Sequence, residues 1–91
     1  MNDPLVASLA KAWAEKTILE ESQTPRDRIE SMYLAAFSRR PQPNEMDSAK
    51  VFLVEQAQMH GIDFEKNPRD LAAWTDFAHA LFNTKEFIFI P

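Results

Sequence analysis

The chain has 91 residues and a formal net charge of −4, with 45% hydrophobic and 26% charged residues. This length and balance predict one globular domain and argue against a disordered chain. A nucleic-acid-binding domain normally carries a basic surplus, because phosphate contacts supply most of its affinity, so the acidic charge argues against nucleic acid as a partner. Cysteine is absent, so the sequence offers no disulfide, thiolate metal site or haem attachment motif. No stretch approaches the roughly 20 apolar residues that a membrane span needs.

Proline and glycine usage favours helices. There are six prolines and a single glycine, and β-sandwiches and barrels usually need more glycine for their turns. Proline suits the first position of a helix, where its missing N–H costs nothing, and a polar residue before it can cap the helix. Four such pairs predict four helix starts: Asp3-Pro4, Thr24-Pro25, Gln42-Pro43 and Asn67-Pro68. An acid follows the last three capping positions at the spacing of a capping box: Asp27, Glu45 and Asp70.

The first two predicted helices carry apolar residues at helical spacing. The first helix is predicted over about 4–21, and its apolar stripe consists of Leu5, Val6, Leu9, Trp13 and Ile18. The second helix is predicted over about 25–38, and its apolar stripe consists of Ile29, Met32, Tyr33, Ala36 and Phe37. Each stripe needs a partner surface that covers it.

The third and fourth predicted helices repeat this spacing. The third, over about 43–60, carries Met46, Ala49, Phe52, Leu53 and Ala57, and Gly61 is its expected stop. The fourth, over about 68–83, carries Leu71, Trp74, Phe77, Ala78, Leu81 and Phe82, with Asn83 as an expected left-handed cap. Because four apolar stripes must bury one another, the predicted fold class is all-α, a small bundle of about four helices.

Two segments fall outside the predicted helices. Residues 61–67 read as a loop whose Phe64 packs back on the core. The C-terminal run at 86–90 has strong β-propensity and is predicted to be extended. The simpler interpretation is that Phe87 and Phe89 fill a groove between helices, and the alternative is that they pack against a partner.

Three groups of residues, in this order, carry a resemblance to a known family. They are Asn2 to Val6; then Arg28 to Glu30, Tyr33, Leu34, Arg39, Pro41, Pro43 and Glu45; and last Trp74, Asp76, Ala80, Leu81, Asn83, Glu86 and Phe87. Together they resemble the C-terminal part of the planctomycete-type domain of unknown function, which sits near the end of large bacterial proteins that often carry cytochrome-c-like domains. The resemblance implies that 1–91 is a single helical domain, a C-terminal fragment of a larger protein that is exported, periplasmic or at the cell surface. It implies no activity and no catalytic residues.

The chain departs from the family at a few positions. Ser38 stands where the family usually has a small glycine-like residue, and Gln42 stands where it usually has a threonine cap. Arg40 replaces a proline, and Ala78 stands where cysteine is frequent. None of these differences removes a known chemical group of the family.

Titratable residues give little sign of chemistry. Asp76 and His79 share a helix face and invite a metal interpretation, but a metal site in a bundle needs further inward carboxylates from facing helices. We therefore expect this pair to be structural, and we expect no metal and no cofactor. His60, at the end of the third helix, is expected to favour the negative end of the helix dipole. With no nucleophile motif or phosphate loop in the sequence, we predict no catalytic residues and a chain that is not an enzyme.

Arginines around the second helix form the only concentration of basic residues. Arg26, Arg28 and Arg40 are candidates for an anion site. The competing interpretation is that Arg26 and Arg28 are solvated and that Arg39 is structural. The family resemblance adds one hypothesis, an ion pair between Arg39 and Glu86 that ties the C-terminal segment to the bundle.

The sequence therefore predicts a non-catalytic helical module. Its role would be packing, scaffolding or protein interaction at the end of a larger multidomain protein, with other domains of that protein or another protein as partners. The alternative is an accessory part of a catalytic or redox assembly that other domains complete.

Overall fold

Four α-helices form the part of the chain that the computed structural model describes, residues 4–84. They are α1 Pro4–Thr17, α2 Pro25–Phe37, α3 Pro43–Met59 and α4 Leu71–Phe82. No strand occurs within residues 4–84. The predicted all-α class is confirmed. The segment 86–90, predicted to be extended, lies outside the described residues.

Helix α4 lies at the centre of the bundle, and every one of its residues is buried or half-buried. Helices α1 and α3 pack most extensively on it, whereas α2 makes smaller contacts with each of the other three helices. Trp74 of α4 is fully buried, with its ring about 6.0 Å from those of Phe64 and Phe77. Its indole N–H donates to the carbonyl oxygen of Pro68 at 2.8 Å, so the one polar atom of this ring is satisfied. Phe64 is buried as predicted, and the loop is thereby attached to the core.

The buried face of α1 differs from the predicted stripe. Val6, Ala10 and Ala14 are buried, whereas Leu5 and Leu9 are 66% and 41% exposed. The prediction placed the two leucines inside because large apolar residues usually mark the buried face, and it was wrong. Small alanine side chains form the buried face instead, which leaves the leucines on the surface.

Helix α1 also ends four residues earlier than predicted. Thr17, its last residue, donates its hydroxyl to the carbonyl oxygen of Trp13 at 2.8 Å. The carbonyl oxygens of Ile18 and Glu20 accept from arginine side chains of other elements. Side chains thus take carbonyl groups that a longer helix would use internally.

The starts of α2 and α3 confirm the predictions. Thr24 accepts from the backbone N–H of Asp27 at 3.1 Å, and Asp27 accepts from that of Thr24 at 3.0 Å. The bond from the Thr24 backbone is also the main reason that the pKa of Asp27 lies below its ordinary value. At α3, the carboxylate of Glu45 accepts from the backbone N–H of Gln42 at 2.8 Å. Both helices have proline at the first turn.

The predicted start of α4 was wrong. Its N-cap is Asp70, whose carboxylate accepts from the backbone N–H of Ala73 at 3.0 Å, so the helix begins at Leu71. The Asn67-Pro68 pair lies in the preceding turn, closed by a bond from the Asp70 N–H to the Asn67 carbonyl oxygen at 3.2 Å. Asp70 was predicted as the second half of a capping box, but it is the cap itself.

Left-handed backbone ends two of the helices. Ser38 follows α2 at φ 58°, a conformation that costs a non-glycine residue about 1 kcal/mol or more. Gly61 follows α3 at φ 76°, and the N–H groups of Gly61 and Ile62 bond to the carbonyls of Gln58 and Ala57. This pair of bonds is a complete Schellman motif, and it confirms the predicted stop. Asn83, expected to be left-handed, has φ −88° and is not.

Candidate functional site

Arg28, one of the three candidates for an anion site, is buried, with 1% of its surface exposed. Its Nη2 donates to the carbonyl oxygen of Glu20 at 2.7 Å, while its buried Nε has no hydrogen-bond partner. Burial is the main cause that lowers the pKa of this guanidinium. The expectation of a solvated Arg28 was wrong, because the side chain turns inward and holds the α1–α2 connection.

A second arginine holds the same connection. Arg69 donates from Nε to the carbonyl oxygen of Ile18 at 2.9 Å, and its Nη1 lies 3.3 Å from Glu21 Oε1. The two guanidiniums lie close enough for Arg69 to lower the pKa of Arg28 further. Sequence reasoning missed Arg69, because residues 51 positions apart give no local signal of their pairing.

The other two candidates stand at opposite ends of α2. Arg26 is in its first turn and Arg40 follows its end, and both are exposed. The eleven residue-to-residue steps from Arg26 to Phe37 rise by roughly 17 Å along the helix axis. Arg28 is buried against the α1–α2 connection, where it binds the Glu20 carbonyl. The structure therefore does not bring the three arginines together around one small anion.

Arg39 forms the best-organised ionic interaction among the described residues. Its Nη1 and Nη2 donate to the two carboxylate oxygens of Glu45 at 2.7 and 2.9 Å, a fork geometry that favours both strength and orientation. The guanidinium carbon lies 5.6 Å from the ring centre of Tyr33 and 5.8 Å from that of Phe37. The Arg39 hydrogen bond, with that from the Gln42 N–H, lowers the pKa of Glu45 to about 2.

This geometry gives Arg39 a structural role, since it joins the end of α2 to the start of α3. Glu86, its predicted partner, lies outside the described residues, so the Arg39–Glu86 pair stays a prediction. Glu45 could have been found from the sequence as a partner of Arg39, because an acid at the third position of a helix lies near the turn that precedes it.

Asp76 pairs with His60, and not with His79 as the spacing on α4 suggested. His60 Nε2 and Asp76 Oδ2 are 2.8 Å apart, which links the C-terminal end of α3 to the middle of α4. His79 lies half-buried one turn along α4. Within residues 4–84, no three or more histidine, cysteine or acidic side chains come together in a way that could hold a metal ion.

A groove lies between α1 and α2. One large aliphatic side chain that lines it, Leu19, is 72% exposed. The groove has a volume of about 400 Å³, and Trp13, Leu19 and Ala35 line it together with polar rim residues. This surface is named the α1–α2 groove below.

A second groove opens where α2, α3 and α4 meet. It has a volume of about 260 Å³ and a mainly apolar lining that includes Tyr33, Phe52, Phe77 and Leu81. Glu45 and Thr84 are among the residues that line it. This surface is named the α3–α4 groove below.

No family model, curated protein or solved structure matches the chain. None of the helices described between residues 4 and 84 has the length and apolar character to cross a membrane.

Proposed function

We propose that this chain is a non-catalytic helical module that packs against another domain of a larger multidomain protein. The supporting observation is the α1–α2 groove, a concave surface in which Trp13, Leu19 and Ala35 supply apolar surface and Leu19 is 72% exposed. Contiguous exposed apolar surface next to a groove is typical of a protein-interaction site.

The polar side chains of the domain are consistent with this proposal. Arg28 and Arg69 hold the α1–α2 connection, Arg39 joins Glu45, and His60 joins Asp76. Each of these groups fixes one element of the bundle to another. A site for chemistry would instead direct such groups towards a common cleft.

A binding experiment tests the proposal. The polypeptide encoded next to this domain in its natural gene is produced separately, and its affinity for the domain is measured by isothermal titration calorimetry. Leu19→Asp, in the α1–α2 groove, is expected to weaken the complex by about tenfold or more, because a charge would be buried in an apolar contact.

Val51→Asp is the matched control, since Val51 is 56% exposed on α3, outside the α1–α2 groove. It should leave the affinity unchanged. Absence of binding to the neighbouring polypeptide, or an equal loss of affinity in both variants, would refute the proposal.

A further inference from the structure

A further groove lies where α3 passes into the loop that follows it. Val54 and Gln58 of α3 line it together with residues 61–65, and its volume is about 460 Å³. Gly61, with its left-handed backbone, turns the chain at the end of α3, and the loop then forms one wall of the groove. The groove shares no lining residue with the α1–α2 groove or the α3–α4 groove. This surface is named the α3–loop groove below.

The floor of the α3–loop groove is apolar and is attached to the core. Val54 and Ile62 are half-buried and pack against the core cluster. Phe64 is 6% exposed, and its ring centre lies 6.0 Å from that of the buried Trp74. The aliphatic stem of a long side chain would gain from contact with this floor, because the contact removes apolar surface of both from water.

The α3–loop groove is acidic. Asp63 and Glu65 line it, and none of the described residues that line it is basic. Asp63 Oδ1 accepts from the backbone N–H of Glu65 at 3.1 Å, which restricts the orientation of that carboxylate. Neither carboxylate forms an ion pair with another side chain of residues 4–84. The groove therefore offers negative charge to a cation from outside, and the net charge of −4 favours the approach of a basic partner.

The combination of an apolar floor and several acceptors suits the side chain of an arginine. Gln58 adds a side-chain amide to the two carboxylates in the groove. A guanidinium presents several N–H donors in one plane and is less strongly hydrated than an ammonium group. Arginine also carries an aliphatic stem that can cover apolar surface while its charged end stays among polar groups, and it is enriched at protein interfaces.

We propose that the α3–loop groove binds an arginine side chain of a partner polypeptide. The stem lies on Val54 and Ile62, and the guanidinium lies at Asp63 and Glu65. This inference goes beyond the proposed function, because it concerns a different surface. It holds whether or not the α1–α2 groove contacts a neighbouring domain.

Two tripeptides test the proposal. One is N-acetyl-Gly-Arg-Gly-amide, and the other has citrulline in place of arginine, which keeps nearly the same shape but has no charge. Each is titrated into the full natural chain, and the amide chemical shifts are followed by NMR. We expect the arginine tripeptide to cause saturable shift changes at residues 61–65. The citrulline tripeptide should bind at least about fivefold more weakly, because it lacks the ionic part of the interaction.

Replacement of the two acids tests the site from the side of the protein. Asp63→Asn keeps an oxygen that can accept from the Glu65 N–H, and Glu65→Gln keeps the length of that side chain. Together they should weaken binding of the arginine tripeptide by about fivefold or more. Asp47→Asn with Glu55→Gln is the matched control, since both acids are exposed on α3 outside the groove, and it should leave the affinity unchanged. The comparison of the two tripeptides needs no variant, so it tests the proposal even if the double variant does not fold.

Several results would overturn the inference. They are an absence of saturable shift changes at residues 61–65, equal affinity for the two tripeptides, and equal loss of affinity in the two double variants. Shift changes at these residues with calcium chloride, but not with the arginine tripeptide, would show a site for an inorganic cation instead. Shift changes on dilution of the chain alone would show that a second copy occupies the groove.

Discussion

Replacement of Glu45 by glutamine tests the interaction that joins α2 to α3. Glutamine keeps an oxygen that can accept from the Gln42 N–H, but it removes the charge that faces Arg39. The change therefore isolates the ionic part of an interaction with donor–acceptor distances of 2.7 and 2.9 Å. The free energy of unfolding is expected to fall at neutral pH.

The size of this effect follows from the pKa of Glu45, which lies at about 2 against an ordinary value of 4.5. A difference of this size corresponds to about 3 kcal/mol if it is converted without correction. The side chains of Arg39 and Glu45 are 35% and 27% exposed, so solvent screens the interaction and the expected contribution is about 1 to 2 kcal/mol. For a domain of this size, that corresponds to roughly 4–16 °C in the unfolding temperature.

The direction of the pH dependence is fixed by the lowered pKa. A carboxylate with a folded pKa below its unfolded value stabilises the fold above about pH 4.5, and the stabilisation is lost as the pH falls towards 2. Glu45→Gln cannot titrate at this position. The difference in unfolding free energy between the natural chain and the variant should therefore be largest at pH 7 and shrink steadily below pH 4.5.

Urea unfolding followed by circular dichroism measures this difference at pH 7, 5 and 3.5. Glu55→Gln is the matched control, because Glu55 is exposed on the same helix, and it should change the unfolding free energy by less than about 0.5 kcal/mol. A cycle with Arg39→Met should give a coupling of about 1 kcal/mol. A difference that is the same at pH 7 and pH 3.5, or an absence of coupling, would refute the reasoning.

Three further predictions concern single features of the fold, and each is checked by the free energy of unfolding in urea. Asp70→Ala should lower the free energy of unfolding by about 1 kcal/mol and Asn67→Ala by less than about 0.5 kcal/mol, because Asp70 is the cap of α4. A larger loss for Asn67→Ala than for Asp70→Ala would contradict the observed start of this helix. Gly61→Ala should cost about 1 kcal/mol through its φ of 76° alone, since an added Cβ meets nothing within 4 Å, and an unchanged stability would refute this. Trp74→Phe should cost roughly 2 kcal/mol, because the carbonyl of Pro68 loses its 2.8 Å donor; a loss below about 0.5 kcal/mol would show that this bond contributes little.

The starts of α2 and α3 could be predicted because their causes are local. Thr24 and Asp27 satisfy each other's backbone groups within four residues, and proline at the next position fixes the backbone angle. The start of α4 could not be placed by the same rule. Asn67-Pro68 has the same local pattern, but Asp70 caps the helix and the Pro68 carbonyl is bound by a core tryptophan. Two helix starts were compatible with the local sequence, and tertiary contacts selected the one that Asp70 caps.

The roles of the arginines were beyond sequence reasoning for a similar reason. Whether Arg28 is solvated or buried depends on where the carbonyl of Glu20 lies, eight residues earlier in the chain. Arg69 binds the same loop, at the carbonyl of Ile18, although it lies 51 positions later in the chain. Arg39, by contrast, contacts Tyr33, Phe37 and Glu45, which are all close to it in sequence. The partner predicted for it, Glu86, lies outside the described residues, and that pair stays a prediction.

The central position of α4 has a consequence for the order of events during synthesis. Helix α1 packs most extensively on α4, which is the last of the described helices to be translated. The buried face of α1 at Ala10 and Ala14 therefore cannot be covered by its main partner until residues 71–82 have left the ribosome. Because contacts between distant segments form slowly and expose apolar surface in the meantime, we expect this domain to fold only after α4 has emerged, and not helix by helix.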